Sequence, residues 1–150
     1  MKDIASLVDR MQDRRVYFDT NAIIYFIEQN PQFYSVVLEI FTLIGSNGIA
    51  ALTSQFTLTE LLIKPMREAH AALIQNIKDL LLDPEFFTLT AISESLFIKA
   101  AETGAAHGLR PADAIQFASA LENHCHFFVT NDARFNSVGG LEVVPLSEYV

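Results

Sequence analysis

The feature that most constrains this chain is the alternation of helix-length segments with short runs of apolar, β-branched and aromatic residues. The short runs predict strands at 16–18, 49–53, 86–89, 127–130 and 142–144. The other segments predict helices within 1–14, at 21–27, 31–44, 55–64, 93–106 and 111–122, and from a break at Pro65 to Leu82. Short apolar strands joined by helical crossovers favour a parallel sheet covered on both faces. We therefore predict one α/β domain over residues 1–150 with a central sheet of about five strands.

The composition fits such a domain. The 150 residues are 51% apolar and 19% charged, so the chain can bury a sizeable core and is not disordered. A formal net charge of −8 makes tight, nonspecific binding to phosphate backbones by charge alone a poor expectation. The single cysteine, Cys125, excludes an intramolecular disulfide framework. With no signal-peptide pattern and no apolar run of about 20 residues, we expect a soluble, cytoplasmic protein without a membrane anchor.

Four acidic side chains are predicted to gather at one edge of the sheet. Asp19 directly follows the first strand, and Asp132 follows the fourth. Glu60 lies early in the helix after the second strand, and Asp113 lies in the first turn of the helix that leads into the fourth strand. A helix that leads into a parallel strand runs opposite to it, so its N-terminus lies at the carboxyl edge, where ligands bind in such sheets. All four carboxylates are therefore expected at that edge.

Each acid also has a local explanation. Asp19 can cap the helix that follows it, and Thr57 with Glu60 fits a capping box. Asp113 suits the first turn of a helix, and Asp132 suits a turn. Four unrelated caps, however, have no reason to share one edge. A hard cation such as Mg²⁺ or Mn²⁺ relieves the repulsion among clustered carboxylates and leaves positions open for phosphate oxygens, so the cluster predicts a metal site for phosphodiester cleavage.

Four segments around these acids resemble the successive motifs of PIN-domain ribonucleases. The segments are VYFDTN (16–21), TLTELL (57–62), LRPADAIQFASA (109–120) and FVTNDARF (128–135). The size and layout are most similar to the VapC-type toxins of toxin–antitoxin pairs. Each motif alone is a weak signal, but four in the right order, with every acid present, form a specific one.

The resemblance implies a three-layer α/β/α sandwich and an Mg²⁺- or Mn²⁺-dependent endoribonuclease. Carried over residue by residue, the metal-binding and catalytic acids are Asp19, Glu60, Asp113 and Asp132. The polar positions beside them are Thr20, Asn21, Thr130 and Asn131. Of these, Asn21 or Thr130 is expected to hold a metal water or to orient a carboxylate. The family also implies an RNA substrate, a homodimer, and inhibition by a cognate antitoxin whose tail lies over the acidic site.

Three basic residues near the motifs are candidate contacts to RNA phosphates, namely Lys64, Arg110 and Arg134. Lys64 is explained equally well by an i,i+4 pair with Glu60. The alternative for Arg110 and Arg134 is that each is an ordinary surface charge or a partner of the acidic cluster. The amphipathic helix within 1–14 is expected to cover the core, with a dimer or antitoxin contact as the alternative.

Other functions compete with this one. A phosphatase or a phosphoacceptor receiver domain favours paired acids after the first strand and a lysine late in the fold. Here Asp19 is followed by Thr20 and Asn21, and the last lysine is Lys99. The absence of one of the four acids would favour a non-catalytic PIN-like interaction module, but all four acids are present. Within the family, a housekeeping RNA-processing nuclease is the alternative to a toxin.

Overall fold

The centre of the fold is a parallel sheet, seen in a computed structural model that describes residues 1–45 and 48–150. Its strands are β1 (Arg15–Phe18), β2 (Ala50–Ser54), β3 (Phe87–Thr90), β4 (Phe127–Thr130) and β5 (Glu142–Pro145). They pair in the order β3-β2-β1-β4-β5, and every pairing is parallel. The crossovers between β2, β3 and β4 are helical, as the sequence predicts.

Helices flank the sheet and complete the predicted α/β/α sandwich. They are α1 (Ile4–Met11), α2 (Thr20–Ile27), α3 (Tyr34–Phe41), α4 (Gln55–Arg67), α5 (Ala71–Leu81), α6 (Glu94–His107) and α7 (Pro111–Glu122), with a final 3-10 turn at Leu146–Tyr149. Over the described residues, none of these helices is both long enough and apolar enough to cross a bilayer.

The middle strand, β1, determines where the candidate acids emerge. Val16, Tyr17 and Phe18 are fully buried, and successive strand residues point to opposite faces, so both faces of β1 are covered. The register pairs Phe18 with Val129 of β4. β1 and β4 therefore end side by side, and the residues that follow them emerge at one edge of the sheet.

Aromatic side chains pack against one another on both faces of the sheet beneath this edge. Phe18 packs edge-to-face against Phe41 and Phe87, with ring centroids 4.9 and 5.8 Å away. On the opposite face Tyr17 stacks on Phe128 at 5.4 Å. Such pairs add specific geometry to the burial of large apolar area. The backbone that leads into the edge is thus held by close packing from both sides.

The N-terminal helix α1 packs on the same core. Leu7 and Met11 are its buried residues, which is the covering role that the apolar spacing predicts. Arg10 makes a two-pronged ion pair with Glu142 of β5, at 2.8 and 3.0 Å. Because this pair is exposed, it contributes little to stability, and the apolar contacts hold the helix in place.

Several helix boundaries differ from the sequence prediction, and those around Pro65 and at α3 differ by three residues or more. The predicted break at Pro65 is wrong, since α4 continues through it to Arg67. Pro65 is buried, and we attribute its tolerance to packing that outweighs the one backbone hydrogen bond a proline removes. Helix α3 begins at Tyr34 and not at residue 31, because the Asn30 side chain accepts the backbone N–H groups of Gln32 and Phe33 and holds them in a turn. It also ends at Phe41, three residues before the predicted end.

Candidate active site

Asp19 lies at the junction of β1 and α2, where it caps the helix. Its Oδ1 accepts the backbone N–H of Thr20 at 2.8 Å, and its Oδ2 accepts the Thr130 hydroxyl at 2.8 Å. The carboxylate is only 6% exposed. The cap predicted as a local explanation is therefore present, and it buries a charge that an ordinary helix cap leaves in water.

Burial dominates the electrostatics of Asp19. It raises the pKa of the carboxyl from the ordinary 3.8 to about 6, even though the hydrogen bonds from Thr130 and Thr20 lower it. The charges of Glu60 and Asp113 raise the pKa further. Asp19 is thus a buried acid whose ionised form is destabilised by its surroundings and by two neighbouring acids. A cation at this edge would reverse that balance.

Thr130, the last residue of β4, connects two of the acids. Its hydroxyl donates to Asp19 and accepts the backbone N–H of Asp132 at 3.1 Å. Thr130 is fully buried, so this single hydroxyl fixes one carboxylate and the chain that carries the next. The arrangement depends directly on β1 and β4 being neighbours in the sheet.

Glu60 reaches the same edge from the second turn of α4. Its Oε1 accepts the Thr20 hydroxyl at 2.7 Å and the Gln116 side-chain amide at 2.6 Å. The predicted capping box is wrong, because Ser54 is the N-cap of α4 and accepts the backbone N–H of the residue two positions later. Glu60 therefore points to its neighbours on other elements and not back to its own helix end.

Asp113 and Asp132 converge on one cation, the guanidinium of Arg134. Its Nη2 lies 2.9 Å from Asp113 Oδ2 and also contacts Asp132, and its Nε donates to Asp132 at 2.9 Å. This guanidinium lowers the pKa of the Asp132 carboxyl, and the two acids raise the pKa of Arg134. The structure therefore shows Arg134 paired with the acidic cluster, which is one of the roles that the sequence leaves open for this residue.

The remaining candidates lie around this group in different settings. Asn131 accepts the backbone N–H of Ser147 at 3.0 Å, so it holds the C-terminal segment. Asn21, Lys64 and Arg110 are exposed, and Lys64 forms no ion pair with Glu60 among the described contacts. The positive charge of Arg110 contributes to the lowered pKa of Asp132, which places Arg110 within electrostatic reach of the edge.

Gln116 is the residue of this site that sequence reasoning missed. It is 1% exposed on α7, and its amide contacts Glu60 as well as the hydroxyls of Thr20 and Thr57. The signal available in the sequence was a single glutamine three residues after Asp113, in a helix composed mostly of alanine and other apolar residues. A buried polar side chain in that position needs partners.

The donor set fits a hard divalent cation, because it consists of carboxylate and hydroxyl oxygens. In the part of the chain that the structure describes, no three acidic, histidine or cysteine side chains lie close enough to share one ion. The acids instead form two sets, with Asp19 and Glu60 beside Thr20, and Asp113 and Asp132 around Arg134. A cation that used both sets would have to replace the Arg134 guanidinium.

The family model of the PIN domain matches residues 16–141. This range covers most of the chain and includes all four acids. The chain belongs to the PIN domain family. No curated protein matches the chain.

Two solved structures share its fold. A chain of a toxin–antitoxin complex from Klebsiella pneumoniae aligns with a TM-score of 0.63 and 19% identity, over 87% of this chain and 97% of that one. A chain of VapBC2 from Rickettsia felis, bound to a DNA fragment from their promoter, aligns with a TM-score of 0.64 and 19% identity over the same shares. At this identity the likeness establishes the fold.

Proposed function

We propose that this protein is a divalent-metal-dependent endoribonuclease and the toxin of a type II toxin–antitoxin pair. The observation that carries the proposal is the buried carboxylate of Asp19, which the fold keeps beside the charges of Glu60 and Asp113 at a cost in stability. Structures retain such unfavourable charges mainly at functional sites. Membership of the PIN domain family supports a nuclease, and the fold shared with two toxin–antitoxin complexes supports the toxin.

In this proposal the acids Asp19, Glu60, Asp113 and Asp132 hold Mg²⁺ or Mn²⁺. When bound, the cation supplies an activated water and offsets charge on the scissile phosphate. Thr20 and Thr130 orient the carboxylates through the hydroxyls described above, and Asn21 is available at the exposed rim.

Arg134 has two roles in the proposal. It neutralises Asp113 and Asp132 before metal binds, and once released it is free to contact RNA phosphate with Arg110 and Lys64. A guanidinium suits this second role because its donors match phosphate oxygens in pairs. The net charge of −8 then leaves RNA affinity dependent on the metal.

The resemblance to VapC-type toxins extends the proposal to the partners. The substrate is RNA, and the protein inhibitor is a cognate antitoxin that covers the acidic edge and complements its charge. A homodimer is the proposed assembly. Protein–protein complexes in the two structural relatives support the antitoxin.

A cleavage assay tests the enzymatic part. Purified protein is stripped with EDTA, supplied with Mg²⁺ or Mn²⁺, and incubated with a mixed RNA substrate. We expect cleavage by the wild type and none by Asp19→Asn or Asp113→Asn, with circular dichroism showing all three folded. Asp9→Asn, on the exposed side of α1, is the matched control and retains activity. A folded Asp19→Asn variant that cleaves at the wild-type rate refutes the assignment.

An induction experiment tests the toxin part. Expression of the protein alone is expected to arrest growth and fragment cellular RNA, and co-expression of a cognate antitoxin, sought as a small gene encoded beside it, is expected to restore growth. Wild-type protein that is soluble and abundant yet leaves growth and RNA intact contradicts the toxin role. Cleavage in vitro without arrest in cells favours the housekeeping nuclease.

A further inference from the structure

A buried polar network extends from the core to the acidic edge, and Gln116 is at its centre. The side-chain amide of Gln116 donates to Glu60 Oε1 at 2.6 Å and reaches the hydroxyls of Thr20 and Thr57, each at 3.1 Å. Its carbonyl oxygen accepts the hydroxyl of Tyr17. Four side chains from three different elements therefore meet at one amide that is 1% exposed.

The partners determine which way the amide faces. Glu60 has only acceptor oxygens when ionised, so the NH₂ group must point to it. Tyr17 is fully buried, and its hydroxyl donates to the amide oxygen of Gln116. With both ends assigned, Gln116 cannot rotate without leaving a buried group unpaired.

The same network extends down to the sheet. Thr57 shares a hydrogen bond of 2.7 Å with Thr53, and the Thr53 hydroxyl donates to the carbonyl oxygen of Phe18 at 2.9 Å. Phe18 is the residue before Asp19. Gln116 thus links Glu60, on one helix, to the strand end that carries the buried carboxylate.

We propose that Gln116 is a positioning residue that holds the Glu60 carboxylate in its metal-binding orientation. It leaves the other carboxylate oxygen, Oε2, without a hydrogen-bond partner among the described residues. This inference rests on the proposed function, since it assigns Gln116 a role toward the same metal. Groups that orient a metal ligand typically change metal affinity by about 10- to 100-fold when removed.

Isothermal titration of the EDTA-stripped protein with Mn²⁺ tests the proposal. Gln116→Met keeps the size of the side chain but removes the amide, and Gln116→Asn keeps the amide but shortens its reach. We expect the Kd for Mn²⁺ to rise about tenfold in both variants, with the number of ions bound per chain unchanged. A merely structural role predicts the reverse, because a partly unfolded sample binds fewer ions with the same Kd.

Thr103→Val is the matched control. Thr103 is a buried polar residue on the adjacent helix α6, and its hydroxyl donates to the Lys99 carbonyl at 2.9 Å, outside the network. Its Kd for Mn²⁺ is expected to stay within about twofold of wild type. An equal loss of affinity in this control overturns the proposal.

The outcomes separate this inference from the proposed function. If the wild type binds Mn²⁺ and both Gln116 variants have a Kd within threefold of the wild-type Kd, the role of Gln116 is refuted and the metal site stands. No Mn²⁺ binding by the wild type refutes the metal-dependent function, and the role of Gln116 with it. Thermal unfolding of each variant accompanies the titration, and a Kd measured on either folded variant decides the question.

Discussion

Replacing Asp19 by asparagine is expected to stabilise the metal-free protein at neutral pH. Burial raises the pKa of this carboxyl from 3.8 to about 6, so the folded state disfavours the ionised form relative to the unfolded chain. One pKa unit corresponds to about 1.4 kcal/mol, and the difference therefore amounts to roughly 3 kcal/mol. The side chain is 6% exposed, so solvent screening reduces this figure little.

The sign and the pH window follow from linkage. Because the folded pKa of Asp19 is the higher one, the folded state binds more protons between the two values, and stability falls as pH rises through that range. The loss is complete above pH 6 and absent well below 3.8. Asparagine carries no such penalty. It can still accept the Thr20 N–H, but its NH₂ must now donate to the Thr130 hydroxyl, which lowers the expected gain to about 1–3 kcal/mol.

Urea unfolding followed by circular dichroism in EDTA measures the effect. The gain in unfolding free energy for Asp19→Asn should be full at pH 7.5 and reduced to about half at pH 5. Asp9→Asn removes an exposed charge and serves as the control for net charge. The reasoning is refuted if Asp19→Asn is less stable than wild type at pH 7.5, or if its gain is the same at both pH values.

Three further predictions concern the same edge. Thr130→Val removes a hydrogen bond that lowers the pKa of Asp19, so Mn²⁺ binding, titrated between about pH 5.5 and 8, should develop at higher pH than in wild type. Arg134→Gln frees Asp113 of its guanidinium partner, and calorimetry at low salt should show tighter Mn²⁺ binding; weaker binding would contradict the competition. Removal of divalent metal with EDTA should leave only weak RNA binding at about 150 mM salt, and tight binding in fluorescence anisotropy would contradict the charge argument.

Local chemistry explains the elements that sequence reasoning placed correctly. Helix α7 begins at Pro111 and ends at Glu122 as predicted, because a proline at the first helical position is a signal contained in the segment itself. Strand β4 has its predicted bounds, since a short apolar run between polar residues is equally local. The parallel sheet follows from the repeated order of strand and helix.

The errors occur where tertiary packing outweighs a local signal. Pro65 marks a helix end in isolation, but the folded chain buries it inside α4. Thr57 fits a helix cap by spacing, but in the structure its hydroxyl bonds Thr53 and Gln116 on other elements. Neither outcome is readable from neighbours in sequence, because the deciding contacts join residues that are far apart along the chain or on different elements.

The sequence by itself determined that the acids would follow strand ends and helix starts at one edge of an α/β fold, because each placement depends on a few adjacent residues. Only the tertiary structure decided how those acids are paired. Strand order places Thr130 against Asp19. The chain that follows β4 places Arg134 in contact with both Asp113 and Asp132. Gln116 acquires its partners in the same way. Hydrogen bonds and ion pairs act over a few ångströms, so their partners are known only once the chain has folded.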